Sequence, residues 1–237
     1  MIIYEIAVPY ESRYASFDRH GAWEKIDDRE GLCEECTGPP REERRCPLIL
    51  EWARGSDQIG DFTWEVCKEG PVVTKRVYKD LASHFSGFEA GPIVMQEPES
   101  KRKTGKPKRR RSCVNLPYEG PELCELWVTA RVVWDRQRST IRQIRNCKTC
   151  GRKYYRLEGM ESRDYFWNPE TLAYESVPIP RKPGCGIIVR ESKLAADIFK
   201  IPEFLNIVLC TPAVKDFIER AGYTNVAFPE AGETIPD

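Results

Sequence analysis

Histidine and methionine are scarce in this chain: two His, at 20 and 84, and three Met among 237 residues. Neither His20 nor His84 lies in an HExxH pair or beside a nucleophile pattern, and no G-x-S-x-G elbow or phosphate-cradling glycine loop is present. The sequence therefore supplies little for hydrolysis, nucleotide binding or histidine-based catalysis, and a non-enzymatic protein is expected. No apolar run approaches the ~20 residues of a membrane-spanning helix. The opening MIIYEIAVPYESRY lacks the basic start of a secretory leader, and Glu5 and Pro9 interrupt its apolar part. The expectation is a soluble, cytoplasmic chain.

Cysteine, by contrast, is plentiful, with ten residues. In a reducing compartment thiols serve as metal ligands or small buried hydrophobes more readily than as disulfides. Four of them form two CxxC pairs, CEECTG at Cys33 and Cys36 and CKTCGR at Cys147 and Cys150. A CxxC turn places two sulfurs on one side, and a glycine after the second cysteine eases the bend. Gly151 stands there in the second pair, whereas Thr37 precedes Gly38 in the first. Zinc takes four tetrahedral ligands and favours thiolate, so Cys33, Cys36, Cys147 and Cys150 are candidate ligands for one structural Zn2+. The alternative is that all four are reduced structural cysteines. Neither pair has the thioredoxin-like setting of a redox CxxC. Cys46, Cys67, Cys113, Cys124, Cys185 and Cys210 stand alone and read as small buried hydrophobes.

The 18 prolines and 16 glycines favour many short elements. IIYEIAV, CPLILEWARG, GDFTWEV and LCELWVTARVVW read as strands, with Phe62 and Trp64 on one face. Two helices are expected. In the first, Thr74 is the N-cap, Val77, Leu81 and Phe85 form the apolar stripe and Gly87 is the stop; His84 falls near its C-terminal end, where a cation suits the helix dipole. In the second, Thr211 is the N-cap, Pro212 the first helical residue, Val214, Phe217 and Ile218 the stripe and Gly222 the stop. NVAF at 225–228 reads as a closing strand. The spacing Asp61, Thr74, Val77 is echoed by Asp197, Thr211, Val214, each set following one CxxC. An internal duplication is one explanation; the ordinary recurrence of strand, capped helix and glycine stop is the other.

The fold class expected is α+β, with mixed short strands, a few helices and two packed halves joined by a split, zinc-ribbon-like CxxC/CxxC site. Residues 1–98 form the N-terminal half, 99–112 a basic linker or loop and 113–237 the C-terminal half. Lys101, Arg102, Lys103, Lys106, Lys108, Arg109, Arg110 and Arg111 put eight basic residues into eleven positions. That segment is either a solvated loop or a nucleic-acid contact working through phosphate charge. Outside it, 29 basic residues face 37 acidic ones, so the body is acidic.

With CEECTG, GFEAGPIVM, YEGPELCELWVTARVVW, CKTCGRKYY and TPAVKDFIERAGYTNVAF in this order, the chain resembles the bacterial double-CXXCG-motif family, which includes immunity proteins of polymorphic and contact-dependent toxin systems. The resemblance touches most of the chain and departs at Thr37. It implies a protein that neutralises a cognate toxin by binding it. A zinc-ribbon nucleic-acid binder using segment 101–111 is the alternative.

Overall fold

Frequent proline and glycine keep the elements short, and among the described residues no strand exceeds seven residues. The computed structural model describes residues 1–10, 12–19, 33–36, 47–53, 55–65, 71–96, 114–170 and 173–237. The basic segment Lys101–Arg111, His20, Cys46, Cys67 and Cys113 lie outside the described residues. Among the described residues the fold is mixed α+β, mostly strands with two helices. In chain order the elements are β1 (Ile2–Glu5), β2 (Ser16–Arg19), β3 (Leu48–Trp52), β4 (Phe62–Glu65), β5 (Pro71–Thr74), α1 (Lys75–Ala82), β6 (Phe88–Gly91), β7 (Ile93–Gln96) and β8 (Leu123–Val128). They continue as β9 (Ile141–Asn146), β10 (Lys153–Leu157), β11 (Ser162–Asn168), β12 (Ala173–Ile179), β13 (Ile187–Arg190), β14 (Ile198–Ile201), β15 (Phe204–Cys210), α2 (Pro212–Ala221) and β16 (Glu230–Ile235).

The larger sheet has the order β6-β8-β5-β4-β2-β3-β7. Its two end strands are one strand bent at Pro92, which has no N–H to give a ladder and so suits a corner. Gly91 pairs with Glu125 of β8, and the Pro92 carbonyl accepts from Leu48 N at 2.9 Å. The sheet thus closes into a barrel through β4, β2, β3, β7–β6, β8 and β5. The second sheet runs β13-β16-β1-β15-β14. Residues 131–135 close it. Arg131 bridges Lys200 in parallel, Val132 N donates to Lys200 O at 2.9 Å, and Asp135 N donates to Ile188 O at 2.7 Å.

The two barrels have the same plan. Member for member, β4, β2, β3, β7–β6, β8 and β5 correspond to β14, 131–135, β13, β16, β1 and β15. Directions agree as well. β5 is antiparallel to β4 and β8, as β15 is to β14 and β1. β3 is parallel to β7, as β13 is to β16. Backbone details repeat: Thr74 N donates to Asp61 O and Thr211 N to Asp197 O, both at 3.0 Å. The shared strand order and direction favour an internal repeat over a chance match of short patterns.

The repeats exchange their first strands. β1 lies between β15 and β16 of the C-terminal half, and β8 between β5 and β6 of the N-terminal half. The halves along the chain are therefore not separable in space. Their junction is reciprocal: Asp61 Oδ2 accepts from Thr224 N and Oγ1 (3.0 Å each), and Asp197 Oδ2 from Ser86 N (3.0 Å) and Oγ (2.9 Å).

Burial follows this symmetry. Phe17, Leu50, Trp52 and Val72 belong to the core of the first barrel. Ile3, Val132, Trp134, Val189, Phe199 and Leu209 belong to that of the second. Phe62, Trp64, Val73, Val77, Leu81, Leu126, Ile198, Val214 and Ile218 form a third core, in which both barrels and both helices meet. Phe62 and Trp64 share that face as their spacing predicts.

The helices follow most of their signals. Thr74 caps α1, its Oγ1 accepting from Val77 N at 3.4 Å, and Gly222 ends α2 in the left-handed conformation at φ 67°. Two expectations need correction, the stop of α1 and the strand at 225–228, and the Thr211 N-cap holds without its side-chain bond. α1 stops at Ala82 with Ser83 as its cap, because the Ser83 and His84 N–H groups already bond back to Lys79 and Leu81. Gly87 (φ 103°) lies beyond the helix, and Phe85 is half-buried against the shared core rather than on the helical stripe. Thr211 holds the N-cap position, but its hydroxyl is buried and makes no capping bond. Residues 225–228 contribute only a bridge from Ala227 to Ala7; the closing strand is β16. No helix among the described residues is long and apolar enough to cross a membrane.

Candidate metal centre

The second CxxC is the tip of the β9–β10 hairpin. Cys147 N donates to Arg152 O at 2.7 Å, and Gly151 N donates to Cys147 O at 2.9 Å. Gly151 sits at φ 69°, where a side chain would be strained. Thr140 ties the hairpin base to the second barrel: its N donates to Gly186 O at 3.0 Å, and its Oγ1 accepts from Gly186 N at 2.7 Å. The first CxxC, Cys33–Cys36, is a turn. Thr37 and Gly38, where this motif departs from CxxCG, lie outside the described residues.

The two turns meet. The sulfurs of Cys33, Cys36, Cys147 and Cys150 all lie within 4.8 Å of one another, so the group can hold a metal ion. Two contacts join the halves: Cys33 Sγ to Cys147 Sγ at 3.6 Å and Cys36 Sγ to Cys150 Sγ at 3.7 Å. A regular tetrahedron with metal–sulfur bonds of about 2.3 Å has edges of about 3.8 Å, so the spacing fits a ZnS4 centre. Cys147 is buried, Cys33 and Cys36 are half-buried, and Cys150 is exposed.

Without a cation the Cys147 thiol resists ionisation. The Cys150 N–H lowers the Cys147 thiol, but burial and the neighbouring Cys150 and Cys33 thiols outweigh it and push Cys147 up to about 12. A bound divalent ion inverts that balance by favouring thiolate.

The sequence did not single out the groups that hold the turns together. Glu35, inside the first CxxC, reaches across to the second: its Oε2 accepts from Thr149 Oγ1 at 2.8 Å and Thr149 N at 3.1 Å. Those bonds, the Thr149 hydroxyl foremost, hold Glu35 below the usual carboxylate range. Arg145 Nη2 lies 3.7 Å from Glu35 Oε1, and its guanidinium covers the Tyr154 ring at 5.7 Å. Tyr154 OH donates to Cys36 O at 3.4 Å. Glu34-Glu35 looks like an ordinary acidic pair in a charged chain; its place between the two cysteines was the available signal.

Of the lone cysteines, Cys124 and Cys210 are buried, and Cys185 is half-buried. Burial raises both buried thiols, Cys124 to about 11. They behave as small hydrophobes, as expected. His84 lies two residues beyond α1. Its Nδ1 is 3.0 Å from Asp80 O, and its ring packs 4.9 Å from that of Phe217 on α2. That places it as a helix-end contact between the repeats. No known family model matches the chain, and no curated protein does.

Proposed function

We propose that this chain is a non-enzymatic binding protein of the immunity type, which neutralises a cognate bacterial toxin by direct contact in the cytoplasm. In this reading one structural zinc ion, held by Cys33, Cys36, Cys147 and Cys150 in the manner of a split zinc ribbon, clamps the two repeats. The observation that carries it is the convergence of four sulfurs, two from each repeat, within 4.8 Å of one another. Four thiolates fill every position of a tetrahedral ion and leave none for water, which suits a staple rather than a reaction centre. The toxin-directed part rests on the double-CXXCG resemblance and on the acidic body, 37 acidic against 29 basic residues outside segment 101–111, which complements a basic partner.

Two measurements test this. Elemental analysis of protein purified without added metal is expected to find about one zinc per chain; metal-free protein that keeps its melting temperature overturns the clamp. Co-expression with a toxin encoded beside this gene is expected to restore growth, and undiminished killing overturns the immunity reading. Salt-labile retention on nucleic acid, abolished by deleting residues 101–111, favours the nucleic-acid alternative instead.

A further inference from the structure

We propose that Cys33, Cys36, Cys147 and Cys150 are also a site of hydroperoxide oxidation, which closes two disulfides across the repeats, Cys33 to Cys147 and Cys36 to Cys150. The inference stands on how these sulfurs are placed and goes beyond the metal and toxin readings above.

The sulfurs are already in contact. Cys33 Sγ lies 3.6 Å from Cys147 Sγ, and Cys36 Sγ lies 3.7 Å from Cys150 Sγ. All four are free thiols. A disulfide bond is about 2.05 Å long, so each pair has only about 1.6 Å left to close.

The turns are also held in register. Glu35, between the cysteines of the first turn, reaches Thr149, between those of the second. Its Oε2 accepts from Thr149 Oγ1 at 2.8 Å, from Thr149 N at 3.1 Å and from the Cys147 thiol at 3.5 Å. Tyr154 OH donates to Cys36 O at 3.4 Å. The turns thus face each other first cysteine to first and second to second, not diagonally. The second turn is fixed in its own backbone, with Cys147 N donating to Arg152 O at 2.7 Å and Gly151 N to Cys147 O at 2.9 Å. A bridge inside it has to reshape a short, stiff tip, whereas a bridge between turns asks for side-chain rotation alone.

Exposure sets the order. Cys150 is exposed, and Cys36, its contact, is half-buried. Oxidation falls on accessible sulfur, and a neighbouring thiol resolves the product. The Cys150 sulfur attacks one oxygen of hydrogen peroxide: an S–O bond forms, the O–O bond breaks, and the departing hydroxide leaves as water with the thiol proton. The Cys36 sulfur then attacks the Cys150 sulfenic sulfur. An S–S bond forms, the S–O bond breaks, and hydroxide leaves as a second water with the Cys36 proton. Two electrons pass from the sulfurs to the peroxide. A second peroxide oxidises Cys33, which is half-buried, and the buried Cys147 resolves it. Each bridge joins residues 114 apart, a loop long enough for a cross-link to restrict the unfolded chain strongly. Oxidation therefore ties the repeats together covalently.

The test uses the full chain, treated with hydrogen peroxide, blocked at its remaining thiols and digested without reductant. Lys148 separates Cys147 from Cys150, and Glu34 and Glu35 separate Cys33 from Cys36. Cleavage after lysine, arginine and glutamate therefore puts each of the four on its own peptide. Mass spectrometry is expected to find Cys33 joined to Cys147 and Cys36 joined to Cys150. Cys36→Ser is expected to stop at the Cys33–Cys147 bridge and leave Cys150 as a sulfenic acid that a cyclic 1,3-dione captures; where that variant does not fold, the wild-type map decides alone. The oxidised chain, stripped of metal, is expected to melt about 5 °C or more above the same chain reduced. Bridges within a turn, diagonal bridges, bridges between chains, four unreacted thiols or an unchanged melting temperature overturn the proposal. Cross-turn bridges in a chain that carries no zinc leave this site standing and end the clamp reading. A zinc-bearing chain that oxidises within each turn does the reverse.

Discussion

Asp61 shows how one side chain can hold two barrels together. Burial alone would raise its pKa, but the Thr224 N–H and hydroxyl and the Arg76 guanidinium outweigh that and lower it. Arg76 Nη2 donates to Oδ1 at 2.7 Å, and the carboxylate is 14% exposed. A carboxylate whose pKa is lower in the folded than in the unfolded state stabilises at pH above its unfolded value. That contribution is lost as pH falls through the folded value. Asp61→Asn is therefore expected to cost about 1–3 kcal/mol at pH 7. The gap from wild type should begin to narrow below about pH 4, where the unfolded carboxyl takes up its proton, and close as pH falls through the lower folded value. Urea unfolding at pH 7 and at pH 3 checks it; a gap of equal size at both values removes the charge from the explanation. Asp197, the matching residue of the second repeat, accepts from the Ser86 N–H and hydroxyl and, among the described residues, meets no arginine, so the two junctions share a plan and differ in charge compensation there.

Among the elements, the exchanged strands set the architecture. Ile3 belongs to the N-terminal repeat by sequence, yet it is fully buried in the core of the second barrel. Ile3→Ala is expected to cost about 2–5 kcal/mol, the usual range for truncating a core aliphatic. Its effect on hydrogen exchange should fall on β15 and β16, the neighbours of β1, before β3, β4 and β5. Loss of protection confined to the N-terminal repeat contradicts the exchange. Much at this scale was legible in the sequence, because capping and periodicity are local. Thr74, Val77, Leu81, Pro212, Val214, Ile218 and Gly222 all do what their spacing predicts. The partnership of β8 with β5 and β6, and of β1 with β15 and β16, was not legible. Strands carry their pattern of faces but no address for a partner far along the chain. The stop of α1 is not legible for a related reason: Ser83 closes the helix through backbone bonds available to any residue, whereas Gly87 carries the stronger signal four residues later. At the candidate metal centre the four cysteines were visible from the sequence. Glu35, Thr149, Arg145 and Tyr154 were not, since each is an ordinary surface residue until the turns meet.

At the scale of the whole molecule, the repeat explains how two cysteine pairs so far apart along the chain converge. Each CxxC occupies the same position in its repeat, between the second and third members of the strand series: β2 and β3 in one, residues 131–135 and β13 in the other. A shared site between copies makes a prediction that independent sites do not. A single ion held by both pairs predicts that Cys33→Ser and Cys147→Ser each lower metal content and melting temperature alike. A loss of several kcal/mol in a chain of this size corresponds to a drop of about 5 °C or more. The double variant should be hardly worse than either single one, because the second substitution has no intact clamp left to break. Calorimetry with metal analysis on the three variants reads this directly. Additive losses would place the two cysteine pairs in separate sites. Chelation carries the same logic further. Because β1 and β8 interlock the barrels, removing the ion is expected to loosen the two turns and the β9–β10 hairpin while leaving the shared core of Phe62, Val77, Leu81, Ile198 and Val214 protected. Exchange that rises throughout both barrels on chelation would instead make the four sulfurs a condition of the fold.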